Sequence, residues 1–138
     1  MVGGPTSRIG EYSPLMAAPR TILLVDDDPS IQGAISLLLE REGFQVTCAG
    51  NGAEALRLLA AGEVPSLILL DMMMPVMNGR EFRLAQQRDP RLAAIPVVVL
   101  SASSGAEPWD GLPPPGAVLP KPFDIDQLLA VVEAHRVR

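Results

Sequence analysis

In the run SLILLD at residues 66–71, Leu67, Ile68, Leu69 and Leu70 are apolar at consecutive positions, and the run then stops on a charge, Asp71. A strand with one wet face alternates apolar and polar residues, so a run without alternation is covered on both faces. Similar runs recur along the chain: TILLVD at 21–26, a weaker FQVTCA at 44–49, the valine-rich IPVVVLS at 95–101 and a short AVLP at 117–120. The segments between them have helical spacing. In PSIQGAISLLLEREG, Ile31, Ala34, Ile35, Leu38 and Leu39 form one apolar stripe. Asp28 is placed to cap that helix, Pro29 to open it and Gly43 to stop it. NGAEALRLLAAG at 51–62 has capping-box spacing between Asn51 and Glu54, with Gly62 at its end. REFRLAQQR at 80–88 is a third helix. DIDQLLAVVEAH at 124–135 is a last one, with Asp124 as its cap. This alternation predicts an α/β fold, a doubly wound five-stranded parallel sheet in a three-layer sandwich. It spans residues 20–138, preceded by a Gly- and Pro-rich flexible tail at 1–19.

Composition narrows the function classes. The net charge is −5 and no cluster of Lys or Arg offers a surface to a phosphate backbone, which argues against nucleic acid as a partner. Cys48 is the one cysteine, so a disulfide within the chain and a cysteine-based zinc site are excluded. No apolar stretch reaches the ~18–20 residues that cross a bilayer, and the N-terminus lacks the layout of a signal peptide. The expectation is a cytoplasmic protein, a monomer or weak dimer, with no membrane contact.

In open parallel sheets, ligands sit beyond the carboxyl ends of the strands. Those ends carry Asp26, Asp27 and Asp28 after the first strand, Asp71 at the third, Ser101 at the fourth and Lys121 after the fifth. Asp28 is accounted for as a helix cap. The other acids, brought to one rim, repel each other unless a cation sits between them. All-oxygen ligands suit a hard divalent ion, and a small number of carboxylates favours Mg2+ over Ca2+. A carboxylate beside Mg2+ and a lysine is equipped to attack phosphorus.

ILLVDDD, LLDMMMPVMNG, VVVLSA and KPF together resemble the receiver domain of bacterial two-component response regulators, from about Arg20 to the C-terminus. The resemblance implies a flavodoxin-like sheet with strand order 2-1-3-4-5. It further implies that Asp71 accepts the phosphoryl group. Asp27 would hold Mg2+ directly, Asp26 partly through water, and the Met73 carbonyl would complete the protein's ligands beside Asp71. Ser101 would bind a phosphoryl oxygen and Lys121 would pair with the phosphoryl charge. Met72, Met73 and the small Ala102 would flank the bound group, and the Lys121–Pro122 peptide bond would be cis. The implied partners are a sensor histidine kinase or phosphotransfer protein upstream and a protein target downstream. The chain ends just after its last helix, so output is expected through protein–protein contact.

The chain departs from that family between Ser104 and Phe123, which hold six prolines. Proline in a helix interior costs ~3 kcal/mol or more. A fourth helix after the fourth strand is therefore expected to be shortened, irregular or missing. Val118 stands where the family usually has an aromatic ring that turns inward on phosphorylation. A second reading follows: a receiver fold that no longer switches and acts as a constitutive interaction module. Trp109, the one tryptophan, lies in the Pro-rich segment and is a natural reporter of its reordering. A phosphohydrolase of the haloacid dehalogenase type is disfavoured, because Met73 stands where its general acid would be. A flavodoxin-like cofactor binder is disfavoured by the acidic loop after the first strand. The methionines at 72, 73, 74 and 77 are read as packing, with shielding of the phosphoryl group from water as a second reading for Met73; Cys48 is read as a small buried apolar residue, and His135 is given no catalytic role.

Overall fold

The computed structural model describes residues 20–62, 64–101 and 112–137. Five parallel strands form one sheet: β1 (Thr21–Val25), β2 (Gln45–Ala49), β3 (Leu67–Asp71), β4 (Val97–Ser101) and β5 (Ala117–Pro120). Their order is β2-β1-β3-β4-β5. Four helices cover the sheet among the described residues: α1 (Pro29–Arg41), α2 (Gly52–Ala61), α3 (Gly79–Arg88) and α4 (Ile125–His135). This is the three-layer sandwich that the alternation of runs implied, with the flavodoxin-like strand order that the family resemblance implied.

Strand side chains alternate between two cores. Leu23, Val25, Ile68 and Leu70 pack against α2 and α3 through Ala55, Leu59 and Phe82. Ile22, Leu24, Leu67 and Leu69 pack on the other face against Ile35, Leu39, Leu128 and Val132 of α1 and α4. Every residue of β3 and β4 is buried, the physical counterpart of runs that never alternate.

Local signals close the helices as the sequence implied. Asp28 accepts from the Ser30 amide, and Asp124 with Gln127 forms a complete capping box. Gly43 ends α1 at φ +91°, a left-handed turn that favours glycine. Helix α3 starts one residue earlier than its apolar pattern indicated, because Asn78 and Glu81 make a second capping box. Cys48 is half-buried rather than enclosed, with its Sγ 3.3 Å from Ser36 Oγ. Residues 112–116 carry no helix. Ala102, Trp109 and most of the Pro-rich connection lie outside the described residues, as does the N-terminal tail; the expected loss of a helix after β4 falls largely there.

Candidate functional site

Chain connections leave β1 toward β2 on one side and toward β3 on the other. The carboxyl ends of β1 and β3 therefore flank a crevice, where a ligand can enter between diverging loops. Asp26 follows β1 directly and is fully buried. Its amide donates to the Ala49 carbonyl at 3.0 Å, and its Oδ1 accepts from the Asp28 amide at 2.9 Å. Gln32, one turn into α1, donates from Nε2 to the carbonyls of Asp26 (2.6 Å) and Ala49 (3.2 Å). That amide ties α1 to the ends of β1 and β2, a role the sequence reading did not find. The available signal was a polar side chain beside the apolar stripe of α1.

Asp27 is exposed and Asp71, the last residue of β3, is 8% exposed. Carboxylate oxygens of Asp26, Asp27 and Asp71 all lie within 4.8 Å of one another. Lys121 reaches into the group from the end of β5, with Nζ 3.4 Å from Asp26 Oδ2 and 3.9 Å from Asp71 Oδ1. Its backbone amide donates to the Ser101 carbonyl at 2.6 Å, and Ser101 itself is buried at the end of β4. The Lys121–Pro122 bond is cis. The structure thus brings Asp26, Asp27, Asp71, Ser101 and Lys121 to one rim. Met72 turns into the core beneath the loop, and Met73 stands in solvent at 79% exposure. Reading all four methionines as packing holds for Met72, Met74 and Met77 and fails for Met73.

Electrostatics explain why the cluster wants a cation. Two like charges ~4 Å apart repel by about 4 kcal/mol at an effective dielectric constant of ~20. One ammonium cannot offset three carboxylates. Burial pushes the Asp71 carboxyl above its ordinary value, and Asp26 and Asp27 push it further. Lys121 and the Met73 amide, 3.3 Å from Asp71 Oδ1, oppose that rise without cancelling it. The donor set is all oxygen, open to solvent on the Asp27 side, and short of positive charge, which fits a hard divalent ion.

The loop after Asp71 is tightly specified. Gly79 donates to the Met72 carbonyl at 3.1 Å, and a Cβ there would lie 2.5 Å from Met72 Sδ and 2.9 Å from the Asp71 carbonyl. Gly52 at the start of α2 donates to the Met77 carbonyl at 3.0 Å. Val76 sits at φ +66°, a left-handed conformation that a β-branched residue rarely adopts. Such strain is found at sites where surrounding structure imposes it. Beside the rim, Ile31, Ala34, Ile35 and Leu38 of α1 and Pro122 and Phe123 line an open apolar groove of about 490 Å³, with Lys121 at its edge.

A family model described as the response regulator receiver domain matches residues 22–133. The chain is 38% identical over 120 residues to the response regulator Rre1 of Synechocystis, covering 85% of this chain and 52% of that one. It is 32% identical over 115 residues to the protein PilH of Pseudomonas aeruginosa, covering 82% of this chain and 94% of PilH. It thus spans about half the length of Rre1 and nearly all of PilH. Among solved structures, the receiver domain of the sensor histidine kinase PA1611 of Pseudomonas aeruginosa, with a magnesium ion coordinated in its active site cleft, superposes with a TM-score of 0.74. That pair is 26% identical and covers 85% of this chain and 97% of that one.

Proposed function

This chain belongs to the response regulator receiver domains of two-component signalling, and from that premise we propose that Asp71 takes a phosphoryl group from a phosphohistidine in a Mg2+-dependent transfer. The observation that carries the proposal is the meeting of three carboxylates within 4.8 Å, with the Lys121 ammonium 3.9 Å from Asp71 Oδ1. Asp26, Asp27, Asp71 and the Met73 carbonyl would hold the ion. Mg2+, when bound, neutralises part of the charge on these carboxylates and on the incoming phosphoryl oxygens.

The chain's own residues do the rest. The Asp71 carboxylate attacks phosphorus, the bond from phosphorus to the histidine nitrogen breaks, and an acyl phosphate results. Lys121 pairs with the phosphoryl charge that develops, and the Ser101 hydroxyl donates to a phosphoryl oxygen. Attack of water on phosphorus later returns the free carboxylate. The module changes state once per phosphate and is no turnover enzyme. Ala102, expected to keep the site open, lies outside the described residues.

The donor must bring an imidazole to the rim, and the apolar groove along α1 lies beside it. That groove suits the apolar face of an amphipathic helix. A histidine kinase or phosphotransfer protein presenting its phosphohistidine on such a helix is the upstream partner of this reading. On this reading, output passes through contact with a second protein in the cytoplasm.

The non-switching alternative retains one structural support. Val118 on β5 packs against the core between the sheet and α2–α3, so no aromatic ring is available to turn inward there. Incubation with a small acyl phosphate donor tests both readings. The phosphoacceptor reading expects Mg2+-dependent phosphate on Asp71, none after Asp71→Asn, and a change in Trp109 emission upon labelling. Labelling without any change in Trp109 emission favours a constitutive module. No labelling at all defeats the phosphoacceptor reading.

A further inference from the structure

The thioether side chains of the methionines around Asp71 take no part in the phosphotransfer steps, and burial separates them. Met72 is 8% exposed within the core, and Met74 and Met77 are partly buried against the same core. Met73 is 79% exposed. Its backbone is nonetheless anchored at the site, since its amide donates to Asp71 Oδ1. A thioether held in water two residues from the acceptor contributes nothing to packing and is open to oxidants. Cys48, the other sulfur nucleophile among the described residues besides these methionines, is half-buried with its Sγ engaged by Ser36 Oγ.

We propose that Met73 is a reversible sulfoxidation site through which peroxide shortens the lifetime of the phosphoryl group on Asp71; this rests on the phosphoacceptor reading above. A lone pair of Met73 Sδ attacks one peroxide oxygen. The sulfur–oxygen bond forms, the oxygen–oxygen bond breaks, and the second oxygen leaves with both protons as water. Sulfur loses two electrons and the peroxide gains them. A thiol-dependent methionine sulfoxide reductase reverses the change. The product places a polar hydrogen-bond acceptor where an apolar thioether stood. The Met73 amide lies 3.3 Å from Asp71 Oδ1, so an oxygen on this exposed side chain brings ordered water near the acyl phosphate, whose loss is an attack by water.

The full chain is treated with stepwise hydrogen peroxide, and its methionine peptides are followed by mass spectrometry. At each step the aspartyl-phosphate half-life is measured, with Met73→Leu treated in parallel. Met73 gains oxygen before Met72, Met74 and Met77. The half-life falls severalfold in step with it and recovers after reduction by the reductase. The half-life of Met73→Leu, whatever its starting value, does not respond to peroxide. The inference is overturned if another of these methionines leads, if the half-life stays put once Met73 is oxidised, or if Met73→Leu responds equally. A different oxidation order leaves the phosphoacceptor reading intact. Absence of phosphate on Asp71 in untreated protein overturns that reading and this inference with it.

Discussion

Asp71 illustrates how one side chain can be held at the cost of stability. Its carboxyl is pushed above the ordinary value of 3.8, first by burial and then by Asp26 and Asp27, against the pull of Lys121 and the Met73 amide. Between 3.8 and the raised value, the folded protein keeps a proton that the unfolded chain has released. Stability from this group is therefore greatest in acid and falls as pH rises through that window. Asparagine has no such proton. In buffer free of divalent ions, Asp71→Asn should unfold at a higher urea midpoint than the parent at neutral pH. The gap should close as pH falls below the ordinary carboxylate value, and a midpoint difference independent of pH would refute the account.

Helix α3 joins the loop after Asp71 to the rest of the sheet through polar contacts in a place normally filled by apolar side chains. Arg83 and Gln86 are both buried. Arg83 donates from one terminal nitrogen to Gln86 Oε1 at 2.9 Å and from the other to the Pro113 carbonyl at 2.6 Å. Gln86 donates in turn to the carbonyls of Leu92 and Ile95, at 3.0 and 3.1 Å. One connected set therefore pins the turn before β4 and the segment before β5. Removing one member strands the others away from water, and each orphaned buried polar group costs about 1–3 kcal/mol. Gln86→Leu should destabilise by at least about 2 kcal/mol in chemical unfolding. Combined with Arg83→Leu, the loss should be clearly smaller than the sum of the two single losses. Strict additivity would show that the contacts act separately.

Taken as a molecule, the chain carries a net charge of −5 and concentrates three acids at one crevice of its sheet. A ligand that binds only the folded state adds RT ln(1 + [L]/Kd), about 2.7 kcal/mol at a hundredfold excess over Kd. Saturating Mg2+ should therefore raise Tm by several degrees, and a monovalent salt of equal ionic strength should not match it. Asp27→Asn should lose most of the Mg2+ response while retaining the fold, because Asp27 is exposed. An equal response in that variant would remove Asp27 from the ion's ligands. Among the described residues no helix is long and apolar enough to cross a membrane.

Apolar runs without alternation, caps at Asp28, Asn51 and Asp124, and acids placed after such runs were legible in the linear chain. Each is a local property: burial on two faces forbids alternation, and a cap is set by the residues of one turn. From them came the covered parallel sheet and the proposal that Asp26, Asp27, Asp71, Ser101 and Lys121 share a rim. Local pattern could not sort Met73 from Met72, Met74 and Met77, because four similar side chains in one loop differ only in which neighbours close over them. Nor could it show that Gln32 braces two strand ends, or that Arg83 and Gln86 lie in the interior. Apart from the Arg83–Gln86 contact within α3, their partners are carbonyls of Asp26, Ala49, Leu92, Ile95 and Pro113, and a backbone carbonyl carries no residue-specific mark in a sequence. Those contacts exist only once helices and strand ends are packed against one another, so tertiary structure decided them.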